Sequence, residues 1–278
     1  MWVRPDNATL VIVGDTTLAE IQPLLEKRFG DWKVAGSAPK LDVPAQVALP
    51  KQPRVFLIDQ PGAVQANLYV GQLLPSSKDK GAIKVDFANG VLGGEFSSRL
   101  NMNLREDKHW AYGAYSMASS ALGQRPWMAF APVQIDKTAE SLAELRREVT
   151  EYADGKAPPR EDEVTRIRNT EIRGMPGSYE TAGAVMSTIG GIVRYDRPDD
   201  YVTSRMAEIE TLTPAQVAEA AKSIDPAALT YVVVGDLSKI EQPVRALNIG
   251  AVSIVDADGK PVQNVAAANA NNTPAVSK

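Results

Sequence analysis

The sequence predicts an α+β fold, a two-layer sandwich whose mainly antiparallel sheet is covered by helices on one face. Three observations carry this prediction. Short apolar runs of strand length occupy residues 54–134, apolar residues recur at helical spacing from Asp136 to Lys222, and a last apolar run returns at Thr230.

Taken in order, Ala8-Thr9-Leu10-Val11-Ile12-Val13-Gly14-Asp15 reads as a buried strand, a glycine turn and an Asp placed to cap a helix. That helix is predicted next, with Leu18, Ile21, Leu25 and Phe29 near one face. The same pattern recurs as Leu229-Thr230-Tyr231-Val232-Val233-Val234-Gly235-Asp236, and Gly235 minus Gly14 gives a period of 221 residues. Pro39, Pro44, Pro50 and Pro53 recur too often for a regular helix or central strand, so residues 36–53 are predicted as a linker.

Arg54 to Ile58 and Asn67 to Gly71 read as two strands paired with each other, set apart by the turn signal Gln60-Pro61-Gly62. Ile83, Phe87 and Val91 fit a helix over Lys80 to Leu92, and a second fits Ser97 to Leu104. Tyr112 to Ala118 and Met128 to Gln134 read as strands, broken by Leu122-Gly123-Gln124-Arg125-Pro126, which places Tyr112 at a helix-to-strand junction. From Asp136, Leu142, Leu145, Val149 and Tyr152 define a helix that Gly155 and Pro158-Pro159 stop. Further helices are predicted over Glu161 to Ile172, Glu180 to Val193, Tyr201 to Ile209 and Pro214 to Lys222, before a final strand at Thr230. The tail, residues 261–278, has almost no large apolar group and is predicted to be disordered.

Bulk composition narrows the function classes. With 30 Lys and Arg against 34 Asp and Glu, the net charge of -4 leaves no excess of cations to neutralise phosphates, which argues against nucleic acid and anionic membranes as partners. No apolar run approaches the ~20 residues that span a bilayer. Met1-Trp2-Val3-Arg4-Pro5-Asp6-Asn7 has neither the apolar core nor the cleavage site of a secretion signal. The absence of cysteine excludes disulfides and thiolate metal sites, and fits a reducing cytoplasm or an envelope protein equally.

The most informative stretch runs Gly93-Gly94-Glu95-Phe96-Ser97-Ser98-Arg99-Leu100-Asn101-Met102-Asn103-Leu104-Arg105-Glu106-Asp107-Lys108-His109-Trp110-Ala111-Tyr112-Gly113. By spacing alone, Arg105 is better explained by a cap or salt bridge near Glu106 and Asp107, and Tyr112 by packing in the core. A functional reading pairs a guanidinium, whose rigid fork of donors suits a carbonyl or carboxylate, with a phenol able to donate to an oxygen gaining charge.

This stretch resembles the segment that carries a substrate-binding arginine and tyrosine in the non-catalytic half of insulinase/pitrilysin-type zinc peptidases. The match is most specific between Leu92 and Ser116, where Gly-Gly, Phe-Ser-Ser-Arg-Leu, Leu-Arg-Glu and Ala-Tyr-Gly fall in place. The resemblance implies a processing-peptidase-like metallohydrolase domain, with Arg105 and Tyr112 facing a zinc site across an enclosed chamber. It departs from the family pattern at His109-Trp110, where a glycine and a leucine-like residue are common. Zinc in this family is held by H-x-x-E-H on a helix, and the chain has one histidine, His109, so two imidazoles cannot share a helical face.

The resemblance therefore implies half an enzyme. No cofactor is expected in this chain, zinc being supplied by a catalytic half or subunit, and peptide is the expected substrate. Residues 1–35 become the tail of a preceding repeat domain and 54–260 the inactive peptidase-like domain. A periplasmic or cell-envelope location is implied, with the cytoplasm as alternative. A catalytically silent structural or assembly protein of the same fold is the rival function.

Other motifs read plainly. Gly93-Gly94 lacks G-x-G-x-x-G and the Walker lysine, so a tight turn into the Ser97 helix is the better account than a phosphate loop. Val13-Gly14-Asp15 is a helix cap rather than a nucleotide site. Ser97 and Ser98 lack a histidine partner, His109 is expected to be structural or solvated, and Arg99 is expected either to line the chamber or to pair with an acidic neighbour.

Overall fold

The computed structural model describes residues 2–40, 42 and 46–262; the predicted disorder of the tail from Gln263 onward lies outside the described residues. The sheet is built from β1 (Arg54–Asp59), β2 (Gln65–Leu74), β3 (Tyr115–Ala118), β4 (Arg125–Gln134), β5 (Thr230–Gly235) and β6 (Ala251–Val255) in the order β3-β4-β2-β5-β1-β6. The three pairings β3–β4, β4–β2 and β2–β5 are antiparallel, while β1 runs parallel to both β5 and β6.

Alternation along the strands sends one set of side chains into the core: Val55 and Leu57, Ala66, Leu68 and Val70, Trp127, Ala129 and Ala131, Tyr231 and Val233. Helices α2 (Ala82–Asn89), α4 (Thr138–Ala153), α5 (Glu161–Gly174), α8 (Pro214–Ala221) and α9 (Leu237–Ala246) supply the other half of that core through residues such as Phe87, Leu142, Leu145, Val149, Ile167, Val217 and Ile240. The sheet's opposite face carries Phe56, Tyr69, Phe130 and Val232, which are only half-buried. Helix α6 (Ala182–Tyr195) and α7 (Tyr201–Thr211) fall where helical spacing predicted them, α6 capped by Thr181 and α8 by a Thr213–Gln216 capping box.

Several expectations are corrected. Residues 8–13 form no strand, and Leu10 and Ile12 are exposed, because a strand needs a neighbour and none of the described chain lies beside them. The helix predicted after them does form, as α1 (Leu18–Phe29), but Thr17, in a capping box with Glu20, caps it in place of the expected Asp15, and it buries no residue. The copy at Leu229 behaves as expected because β1 and β2 flank β5 on both sides. β1 and β2 are therefore not paired with each other: β5 is inserted between them, a long-range choice that no local turn signal reveals. Thr230 does not begin the last strand, since α9, capped by Asp236, and β6 follow it. Arg125 and Pro126 belong to β4 rather than to a break, and β3 starts at Tyr115, leaving Tyr112 in the loop before it.

Candidate functional site

The Gly93–Gly113 stretch is wound more loosely than an α-helix. Gly90–Gly94 and Met102–Asp107 are π-helical turns on either side of the single α-turn Arg99–Asn101, here α3, and Arg105 sits on the second. Such turns widen the backbone and re-aim side chains, and they are frequent at functional sites. Leu100 and Leu104 anchor the segment in the core. The loop then returns beside β4: Trp110 and Ala111 N–H both donate to Leu104 O, at 3.0 and 3.2 Å, and Gln134 N–H donates to Trp110 O at 2.9 Å.

Two side-chain amides, buried Asn101 and half-buried Asn89, fix this geometry. Asn101 donates from Nδ2 to Phe96 O at 2.6 Å and accepts the Ala114 N–H at its Oδ1 at 3.1 Å, tying the two edges of the loop together. Asn89 accepts Ser116 Oγ–H and Trp127 Nε1–H at its Oδ1, at 2.7 and 2.8 Å, and donates to Ser116 O at 3.1 Å, fastening β3 to α2. Ser98 Oγ accepts the Glu95 N–H at 2.9 Å and donates to Gly90 O at 2.6 Å. Neither asparagine stands out in sequence; only its place in a predicted helix beside a motif could have drawn attention to it.

Gly93 is required by space, since a Cβ there would lie 2.6 Å from Ser116 N and 2.5 Å from its Oγ. Gly93 thus lets a helical turn lie directly on β3. Arg99 is spent on structure. Its guanidinium makes a bidentate pair with Glu163, at 2.8 and 2.6 Å, and donates to Ala157 O and Pro158 O. Burial pushes the Glu163 carboxyl up, but hydrogen bonds from Arg99 and the Arg160 N–H outweigh it and hold the group below the usual carboxylate range. Glu95 goes the other way, raised by burial against the weaker pull of Arg166, 3.8 Å distant.

His109 occupies the left-handed region at φ 57°, a conformation that glycine adopts at less cost than any residue with a side chain. Its Nδ1 lies 3.1 Å from Arg105 O, so that nitrogen carries the proton as donor, and its own carbonyl accepts from Gln134 Nε2. Trp110 packs against the core, with the Lys108 and Lys137 ammonium groups 5.6 and 5.9 Å from its ring.

Arg105 and Tyr112 are brought together. The Arg105 guanidinium carbon lies 4.4 Å from the Phe96 ring centroid and 5.7 Å from that of Tyr112. Its Nη1 stands 3.2 Å from Glu106 Oε1, a charge contact whose angle does not make a hydrogen bond, so this buried donor is left without a hydrogen-bond partner. The salt bridge weighed for Arg105 is thus present, whereas core packing of Tyr112 is not: the ring is 86% exposed. Among the described residues no group of three or more His, Cys, Asp or Glu side chains could hold a metal ion. The arrangement can offer hydrogen bonds and charge to an oxygen beside aromatic surface, but contains no set of ligands for a hydrolytic metal.

The family model described as the peptidase M16 inactive domain matches residues 1–171. The chain belongs to this family. Among solved structures, the M16 inactive domain resembles the peptidase M16 inactive domain from Pseudomonas fluorescens at 24% identity and a TM-score of 0.71, covering 80% of this chain and 52% of that one. A protease from Helicobacter pylori matches at 18% identity and TM-score 0.66, with 80% and 54% covered. The periplasmic protease PqqL from Escherichia coli matches at 16% identity and TM-score 0.63, with 80% and 24% covered. These likenesses establish the fold, and the chain spans about half the length of the first two structures, 52% and 54%. No curated protein matches. No helix among the described residues is long and apolar enough to cross a membrane.

Proposed function

We propose that this M16 inactive domain is the substrate-holding portion of a zinc metallopeptidase whose metal, metal ligands and general base lie in another half or subunit. The observation that carries the reading is the placement of the Arg105 guanidinium 5.7 Å from the ring of the solvent-facing Tyr112 on one rim of the fold. Arg105 would hold a peptide carbonyl or carboxylate in register, and the Tyr112 hydroxyl would donate to the carbonyl oxygen as charge develops on it. Zinc supplied by the catalytic half would activate the attacking water. The likeness to a periplasmic protease supports a periplasmic or envelope location.

Residues 1–35 are read as the tail of a preceding repeat domain, followed by the 36–53 linker and the inactive domain at 54–260. The echo of residues 229–236 in residues 8–15 and the exposure of Leu10, Ile12, Leu18 and Leu24 support it. The rival, a structural or assembly role, leaves the rim pair without a task. Measuring peptide turnover and complex size in the assembled protein with Arg105→Ala and Tyr112→Phe separates the two. We expect turnover to fall at least ~100-fold with Tyr112→Phe, in line with loss of one donor to a developing oxyanion, with assembly intact. Unchanged turnover would leave the structural role.

A further inference from the structure

Residues 181–193 carry no charged side chain, yet α6, which they occupy, buries only Tyr195, and among the described residues none of its side chains joins the core or packs against it. Ala182, Met186, Ile189 and Val193 recur at spacings of four, three and four, which sets them on one face of the helix. That face is open to solvent, Met186 at 48% and Val193 at 46%. Gly183 and Gly190 lie one position on, along the flank of the same face, and a Cβ built on either would meet nothing within 4 Å. Glycine weakens a helix relative to alanine, a cost that the close approach of another backbone offsets. An uncharged, apolar face on an otherwise ordinary helix is a contact surface awaiting a partner.

We propose that the partner is a second copy of this chain, with two α6 helices packed antiparallel about a twofold axis that passes between Ser187 and Thr188. The charge pattern singles out this occupant. Reversing the helix about that point exchanges Ala182 with Val193 and Met186 with Ile189, so the apolar face meets itself in register. The same operation brings Arg194 of one copy opposite Thr181 of the other, next to Glu180, at both ends of the contact. Nearby ion pairs engage Asp196 with Lys78 and Glu171 with Arg205, and among the described residues none engages Glu180 or Arg194. Self-complementarity of this kind is what a twofold contact requires, whereas a partner of different sequence has no need of it. The two exposed ion pairs set register and direction more than strength. A contact centred on one 14-residue helix, ~21 Å long, is small, so the dimer is weak and depends on concentration. Neither Arg105 nor Tyr112 takes part, so the pairing is independent of the substrate-holding reading.

The test is sedimentation velocity of the full chain over roughly 10–500 μM, the range in which a small interface populates both states. The average mass should climb from monomer toward dimer, and Ile189→Lys, an exposed position whose replacement leaves the core intact, should hold it at monomer throughout. Glu180→Arg and Arg194→Glu should each weaken the dimer about three- to tenfold, and the two together should restore it, because the exchange rebuilds both pairs with their signs reversed. The chain has no cysteine, so a single introduced thiol reports cleanly. Met186→Cys, near the axis, should give a disulfide-linked dimer on mild oxidation, and Asp258→Cys, exposed in the turn after β6, should not. A chain that stays monomeric at the highest concentration, with no cross-link through Met186→Cys, overturns the proposal and assigns the face to a partner of different sequence, such as the catalytic half. A dimer that Ile189→Lys leaves intact overturns it by placing the contact elsewhere, and failure of the double exchange to restore the dimer overturns the antiparallel register.

Discussion

The guanidinium of Arg105 lies over the ring of Phe96, 4.4 Å from its centroid, and the ring is itself 57% exposed to solvent. An arginine at the end of a π-helical turn has several rotamers available; the Phe96 face selects one by cation–π attraction and blocks others sterically. Phe96→Ala should therefore weaken Arg105-dependent peptide binding about two- to fivefold, the range of a ~0.5–1 kcal/mol exposed cation–π contact. Phe96→Tyr should restore it. Titrating the peptide against both variants by calorimetry checks this, and equal losses in the two would remove Phe96 from the positioning role.

Asn101 is buried between the Phe96 carbonyl and the Ala114 amide. Asn101→Ala leaves both groups without a partner in the interior, at ~1–3 kcal/mol each at most. We expect urea unfolding midpoints to fall by an amount corresponding to about 2–4 kcal/mol in total, with Asn101→Asp unable to rescue because it cannot donate to the carbonyl when ionised.

His109 holds a left-handed backbone that costs any L-residue more than glycine. Its side chain recovers part of that by reaching the Arg105 carbonyl. His109→Gly should be neutral to stabilising by up to ~1 kcal/mol, whereas His109→Val should destabilise by at least ~1 kcal/mol, β-branching being poorly tolerated there. Thermal melts of the three proteins decide it; a stable valine variant would mean the loop has another conformation.

The Arg99–Glu163 pair gives a signed pH dependence. Glu163 is held below the ordinary carboxylate range, so its contribution is fully present above the unfolded-state pKa of about 4.3 and is lost as pH falls through the lower folded value. Stability measured between about pH 6 and pH 3 should decline more steeply for the natural protein than for Glu163→Gln. The variant should also be less stable at neutral pH, because it leaves the partly buried Arg99 without its counter-charge. Parallel slopes would show that other carboxylates dominate acid unfolding.

What the sequence determined by itself was whatever depends on neighbours along the chain. Apolar periods set the α4 to α8 helices, and Asp236 was legible as the cap it forms on α9. The segment from Gly93 to Gly113 carried the family in its order of residues. Tertiary structure alone decided what depends on partners distant in sequence. It placed β5 between β1 and β2 and left residues 8–13 unpaired despite the same strand pattern, because backbone pairing requires a neighbour that pattern cannot supply. It chose Arg99 for the buried pair with Glu163 and Arg105 for the rim, although both are arginines on one short helical segment. Arg105 lies on a π-helical turn with its guanidinium near the Phe96 and Tyr112 rings, and no hydrophobic period encodes that winding.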